Sequence, residues 1–159
     1  MLNHIIHQDV STLQLKHLFF ILNPMTSTVI YTGELRTQMT HLQSGTVVET
    51  DAPVDNNGKG ERFSPTDIVA TALASCMLTI IGIAARTHGF SIDGTSCDVE
   101  KIMAANPRRI GAVHIKMRFP EDQSYDEKTR AIIEKAALTC PVIESLHPDC
   151  KKEVSFIWP

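Results

Sequence analysis

Residues 63–89 read FSPTDIVATALASCMLTIIGIAARTHG, and how this stretch folds decides the fold class. Ser64 is a natural N-cap. Pro65 suits the first helical position, where its missing N–H costs nothing, and Asp67 stands where a capping-box acid belongs. The helix so opened runs to about His88, and Gly89 supplies the left-handed stop. Between Ile68 and Ala85 there are eighteen residues without a charge, which reaches the lower limit for spanning a bilayer. The run is rich in alanine, carries Thr71, Ser75 and Thr79, and has no flanking Trp or Tyr belt. A helix that is apolar nearly all round also suits the centre of a protein, and this is the expectation adopted here. Its most apolar stripe at three-and-four spacing is Val69, Ala72, Leu73, Cys76, Ile80 and Ile83.

The rest of the composition agrees with a buried helix in one globular domain. The chain has 159 residues, a net charge of −3, 43% apolar residues and four cysteines. That length supports a real core without disulfide staples, and the cysteine usage is far below that of a secreted scaffold. The slightly acidic balance argues against nucleic acid, because neutralising phosphates needs a basic field. Residues 1–24 read as an N-terminal extension, with Met25 a candidate natural start. The extension lacks a cationic start, and its apolar run Leu18 to Leu22 is too short for a signal sequence.

Outward from the helix, the upstream side reads as strand. Thr28 to Met39 places Val29, Tyr31, Leu35 and Met39 on one face, and Gly45 to Thr50 forms a second short strand. Asp51 to Arg62 reads as an exposed loop, and its run Asn56-Asn57-Gly58-Lys59-Gly60 as a plain turn without phosphate-loop spacing. Downstream, Thr95 to Met103 and Val113 to Phe119 alternate as strands, with Cys97 and Val99 inward. Ser124 and Glu127 form a second capping box before a helix with the stripe Ile132, Ile133, Ala136 and Cys140. Pro141 interrupts that helix, a short one follows to about Leu146, and Val154, Phe156 and Trp158 alternate in a closing strand. The prediction is one α+β domain over 25–159, ordered ββ-α-ββ-α-α-β.

Cys76 and Cys140 each lie on the apolar stripe of a helix. Packing those helices together would bring two thiols into a dry core, which suits a redox couple in which one thiolate attacks and the other resolves. Free cysteine is also a common small core residue, so periodicity leaves both uses open. Cys140 precedes Pro141 at a helix start, where unpaired N–H groups favour an anion. Cys76 lies three turns inside its helix and needs a cation from elsewhere. Arg36 is a candidate for that cation, and a solvated edge charge is its alternative. Cys97 and Cys150 read as packing or surface residues, and His147 with Cys150 lacks the second close pair that zinc requires. His88 reads as a helix-end residue and His114 as an exposed strand residue.

The segment Phe63 to Asp67, the Ala-rich helix to Cys76-Met77, and Cys140-Pro141-Val142 some 64 positions later resemble the OsmC/Ohr superfamily of peroxiredoxin-like proteins. The closing Phe156-Ile157-Trp158 and the order of elements agree, so the resemblance covers about Ser27 to Trp158. It implies an OsmC-like fold: antiparallel sheets wrapping two long central helices in an intertwined homodimer. It also implies reduction of organic hydroperoxides in oxidative-stress defence, with Cys76 the peroxidatic thiol and Cys140 the resolving thiol. An arginine on the N-terminal strand holds the first thiolate in the Ohr branch. Arg36 matches it by spacing, and Arg62 matches the arginine of other branches.

Active members carry a glutamate after the helix-opening proline to orient the arginine. That position here is Thr66, and Asp67, one residue on, resembles the shifted acid of the YhfA-type branch. The implied catalytic set is therefore Cys76, Cys140, Arg36 and Asp67, with no cofactor and no metal. The implied partners are a second copy of the chain, an organic hydroperoxide and a dithiol reductant of lipoyl type. Neither nucleic acid nor membrane is expected, and the reduced thiols imply a cytoplasmic setting. A non-catalytic OsmC-like dimer binding a small apolar or electrophilic ligand is the alternative.

Overall fold

The computed structural model describes residues 25–159, and the expected extension, residues 1–24, lies outside the described residues. The chain divides into two compact units at the boundary of Ser64 and Pro65, each with its own three-stranded sheet.

The first unit contains β1 (Ser27–Gly33), β2 (Arg36–His41) and β3 (Val47–Asp51), antiparallel in the order β1-β2-β3. The continuous strand expected over Thr28 to Met39 is thus a hairpin. Gly33, Glu34 and Leu35 all adopt positive φ, and the left-handed pair Glu34-Leu35 makes the tight turn that matches strand twist. Neither residue announces such a turn in sequence. It is held from elsewhere in the unit: the Leu35 N–H donates to the Tyr31 hydroxyl at 3.1 Å, the Leu35 carbonyl accepts from the Ala52 N–H at 3.0 Å, and Lys59 pairs with the Glu34 carboxylate. The only buried residues described in this unit are Thr50, Asp51 and Ser64, all polar. Val29, Ile30 and Tyr31 are each about 60% exposed. A three-stranded sheet with no apolar core of its own gains little from hydrophobic burial.

The second unit is built on α1 (Pro65–His88), β4 (Ser96–Ala104), β5 (Arg109–Arg118), α2 (Glu127–Leu138), α3 (Pro141–Ser145) and β6 (Lys151–Ile157). The helix α1 spans the expected residues and stops at Gly89, whose φ is 76° and whose N–H returns to the Ala85 carbonyl at 2.9 Å. It is long and apolar enough to cross a membrane, with 33% of its most apolar window buried. The buried side is Ala70, Leu73, Ala74, Met77, Ile81 and Ala85. This corrects the expected stripe, since Val69 and Ile83 are 38% and 57% exposed. A helix apolar on nearly every side has no dominant period, so its neighbours select the buried face. Alanines at three of the six positions let α2 and the sheet approach closely.

Strand β5 is central in the order β4-β5-β6. It pairs antiparallel with β4 and parallel with β6, because α2 and α3 carry the chain back before β6 begins. Val113, Ile115 and Met117 point into the core, while His114 on the other face lies between Glu100 at 3.0 Å and Glu153 at 3.4 Å. Leu73, Met77 and Ile81 of α1 meet these residues together with Ile133 and Ala137 of α2. Each fully buried large side chain stabilises the unit by about 1.5–3 kcal/mol. Phe119 stacks on Trp158 with ring centroids 4.4 Å apart, and Arg130 covers Trp158 at 5.0 Å. The cap of α2 is Asp126, accepting from the Thr129 N–H at 2.7 Å, and not Ser124. An Asx residue immediately before the first helical turn has the shorter reach to that N–H.

Candidate functional site

The site begins with the two helix-borne cysteines of the second unit. Cys76 lies where the buried face of α1 meets its flank, one residue before Met77, and is partly exposed. Cys140 is fully buried and caps α3, with Pro141 at the first helical position. Packing of α1 against α2 and α3 places the two thiols in one core cluster, near enough for Cys76 to raise the Cys140 pKa. Both are free thiols.

Burial dominates the electrostatics of Cys140. Burial pushes the Cys140 thiol up, the Ile143 N–H pulls it back, and the adjacent Cys76 sulfur raises it again. That N–H donates to Cys140 Sγ at 3.4 Å. Desolvation thus exceeds the helix-start effect expected from the sequence, because Cys140 is shielded from water on all sides. Cys140 rests as a neutral thiol beside a more accessible partner. Cys97 is also held as a thiol by burial, and Cys150 is buried with its sulfur toward the Lys151 carbonyl at 3.8 Å.

Asp67 forms an ion pair with Lys101 of β4 at 2.7 Å, and the same ammonium donates to the Thr66 hydroxyl at 2.8 Å. Lys101, which the sequence did not single out, ties the first turn of α1 to the sheet. A lysine inside an alternating strand gives no hint of this until the helix packs on it.

Arg36 belongs to the first unit. Its Nε donates to Asp51 Oδ1 at 2.6 Å and its Nη2 to Asp51 Oδ2 at 2.8 Å, while Nη2 also reaches Glu61 Oε2 at 2.8 Å. Asp51 is 2% exposed, and the guanidinium beside it, then the Glu61 N–H, hold its carboxyl below the usual range. Asp51 and Glu61 escaped the sequence reading because both sit at the ends of an apparent loop. The available signal was cross-strand register, which sets Arg36 opposite Asp51. Arg62 pairs with Glu49 at 3.1 Å with both side chains largely in water. The His147 ring accepts the Asp149 N–H at 3.1 Å.

A family model described as OsmC-like protein matches residues 58–155. Among solved structures, the chain is similar to a Psychrobacter arcticus protein provisionally described as an osmotic stress induced and detoxification response protein. That similarity is 56% identity, over 83% of this chain and 95% of that one, with a TM-score of 0.79. It shares its fold with an organic hydroperoxide resistance protein OsmC from Legionella pneumophila, at 17% identity over 84% and 97% of the two chains and a TM-score of 0.67. An organic hydroperoxide resistance protein from Elizabethkingia anophelis is alike in fold at 14% identity, over 85% and 97%, with a TM-score of 0.62. No protein with a curated description matches.

Proposed function

This chain belongs to the OsmC-like protein family, and on that premise we propose that it reduces organic hydroperoxides with Cys76 as the attacking thiol and Cys140 as the resolving thiol. The observation carrying this is the nearness of the two thiols within one core cluster, one partly exposed and one buried. The Cys76 thiolate attacks the distal peroxide oxygen, forming an S–O bond as the O–O bond breaks. The alkoxide takes a proton and leaves as the alcohol, and Cys76 becomes a sulfenic acid. The Cys140 sulfur attacks that sulfur, an S–S bond forms and water leaves. An external dithiol, of lipoyl type by resemblance, then returns both cysteines to thiols and is itself oxidised to a disulfide.

Apolar residues around Cys76, among them Leu73, Ile80 and Ile133, favour alkyl hydroperoxides over hydrogen peroxide by desolvating an alkyl chain. Arg36 takes the role of the arginine serving the thiolate, and Asp67, through Lys101, anchors the start of the helix that carries Cys76. A homodimer is part of the proposal, supported by the exposed Val29, Ile30, Tyr31, Val47 and Val48 on a sheet without a core of its own. A reducing compartment such as the cytoplasm keeps the thiols ready. No bound cofactor is required by these steps.

Treating the reduced protein with cumene hydroperoxide and mapping disulfides by mass spectrometry tests the proposal. A Cys76–Cys140 crosslink is expected, with peroxide consumption lost in Cys76→Ser. Absence of both crosslink and turnover favours a non-catalytic ligand-binding dimer, and unchanged turnover in that variant removes Cys76 from the mechanism.

A further inference from the structure

The C-terminal half of α1 and the segment that follows it border a groove of about 620 Å³, lined among others by Leu78, Gly82, Ile83, Arg86, Phe90 and Thr95. That size is typical of a small-molecule site. The lining includes neither Cys76 nor Cys140, and all of it belongs to the second unit. Hydrogen bonds pin the wall opposite the helix. The Phe90 N–H donates to the Ala85 carbonyl at 3.1 Å, the Tyr125 hydroxyl to the Ser91 carbonyl at 2.9 Å, and the Thr95 N–H to the Ile92 carbonyl at 3.0 Å. Phe90 also meets the Tyr125 ring edge-on. The groove is therefore preformed, which lowers the ordering cost of binding.

Three features of this groove serve nothing within the chain's own packing. Gly82 lies inside a long helix, where glycine is less stable than alanine, yet a Cβ there would meet no atom within 4 Å. Its missing side chain leaves room for something that comes from outside. The Thr95 hydroxyl is buried without a hydrogen-bond partner among the described residues, an arrangement that costs stability until an acceptor is supplied. The Arg86 guanidinium makes no hydrogen bond or ion pair among the described residues. Asp93, the other charged residue of the lining, forms no ion pair with it. Leu78, Ile83, Phe90 and Ile92 supply apolar walls. One unpaired cation beside an apolar groove calls for one anionic head on an apolar tail.

We propose that this groove binds an apolar monocarboxylate. The tail lies along Leu78, Gly82 and Ile83 against Phe90 and Ile92. The head group takes the planar fork of Arg86, whose geometry matches a carboxylate, and the Thr95 hydroxyl turns about χ1 to donate to it. Leu78 and Arg86 are about 12 Å apart along the helix, which suits a medium-chain tail. The inference is independent of the hydroperoxide-reductase proposal, because it uses neither thiol.

The test measures binding of decanoate and of decylamine to reduced full-length protein by titration calorimetry, with circular dichroism as the check of folding. Decanoate is expected to bind once per chain and more tightly than decylamine. Arg86→Gln should weaken decanoate by about tenfold or more, since a charged hydrogen bond is lost, and Thr95→Val should weaken it by less. Gly82→Leu should abolish binding by filling the open space while leaving thermal stability equal or higher, because leucine favours the helix. The double variant Cys76→Ser/Cys140→Ser should bind decanoate as the wild type does. Failure of decanoate to bind overturns the proposal, as does preference for decylamine, which would make Asp93 the head-group partner. Wild-type affinity in Arg86→Gln or in a folded Gly82→Leu also overturns it, and wild-type affinity in Thr95→Val overturns the part given to Thr95. Loss of binding in the double cysteine variant would place the ligand at the thiols instead. Light scattering separates the remaining outcome: a dimer broken by Gly82→Leu, in a protein that ignores decanoate, assigns the groove to a second copy of the chain and overturns the proposal. If Gly82→Leu does not fold, Arg86→Gln decides by the same titration.

Discussion

The Cys140 thiol, fully buried at the start of α3, shares a core cluster with the partly exposed Cys76 thiol of α1, which raises its pKa. Cys76 is partly open to solvent, whereas Cys140 is shielded from it. In the proposed mechanism that asymmetry orders the two chemical steps.

Removing the resolving sulfur should separate them. In Cys140→Ser, one equivalent of cumene hydroperoxide is still consumed, and steady-state turnover falls by about tenfold or more because Cys76 remains as a sulfenic acid. Trapping with a sulfenic-acid reagent, followed by mass spectrometry, locates the adduct at Cys76. A Cys140→Ser variant with full turnover would remove Cys140 from the mechanism.

Labelling should expose the same asymmetry without peroxide. Burial raises the Cys140 pKa, so at neutral pH less of it is thiolate than in an ordinary cysteine. Iodoacetamide should modify Cys140 in the native protein about tenfold or more slowly than in urea-unfolded protein, read peptide by peptide. The raised pKa also sets a direction for stability. The unfolded thiol ionises first, so this contribution is present below about pH 8.5 and is lost as pH rises through the folded value.

The Arg36–Asp51 pair should appear in acid unfolding. The Asp51 pKa is depressed in the folded protein, so its stabilisation is present above the unfolded value of about 3.9 and is lost as pH falls through the folded value. Asp51→Asn should be less stable than wild type at pH 7, with the difference shrinking on acidification below about pH 4. Urea midpoints at pH 7 and pH 3 measure it; a constant difference would show that Asp51 contributes by shape alone.

Gly58→Ala tests the loop directly. The added methyl group meets backbone at Ala52, which cannot swing aside as a flexible side chain would. A loss of about 1–3 kcal/mol in urea unfolding is expected. Gly45→Ala, with open space around its Cβ but a φ of 73°, separates steric overlap from backbone strain and should cost less.

What the sequence determined by itself was whatever local chemistry sets. Pro65 and Gly89 bound α1, Pro141 starts α3 beside Cys140, and the alternation from Val113 to Met117 marks the central strand of its sheet. Periodicity left Cys76 and Cys140 open between core filling and a thiol pair, and only the family resemblance favoured the pair. Tertiary structure alone decided the relations that local pattern cannot carry. It selected the Ala70–Leu73–Met77 face of α1, because an all-apolar helix offers no period to choose by. It turned Glu34 and Leu35 into a hairpin through bonds from distant residues. It joined Asp67 to Lys101, and Arg36 to Asp51 and Glu61, because a salt bridge depends on register and loop closure, which are fixed only when separate segments meet.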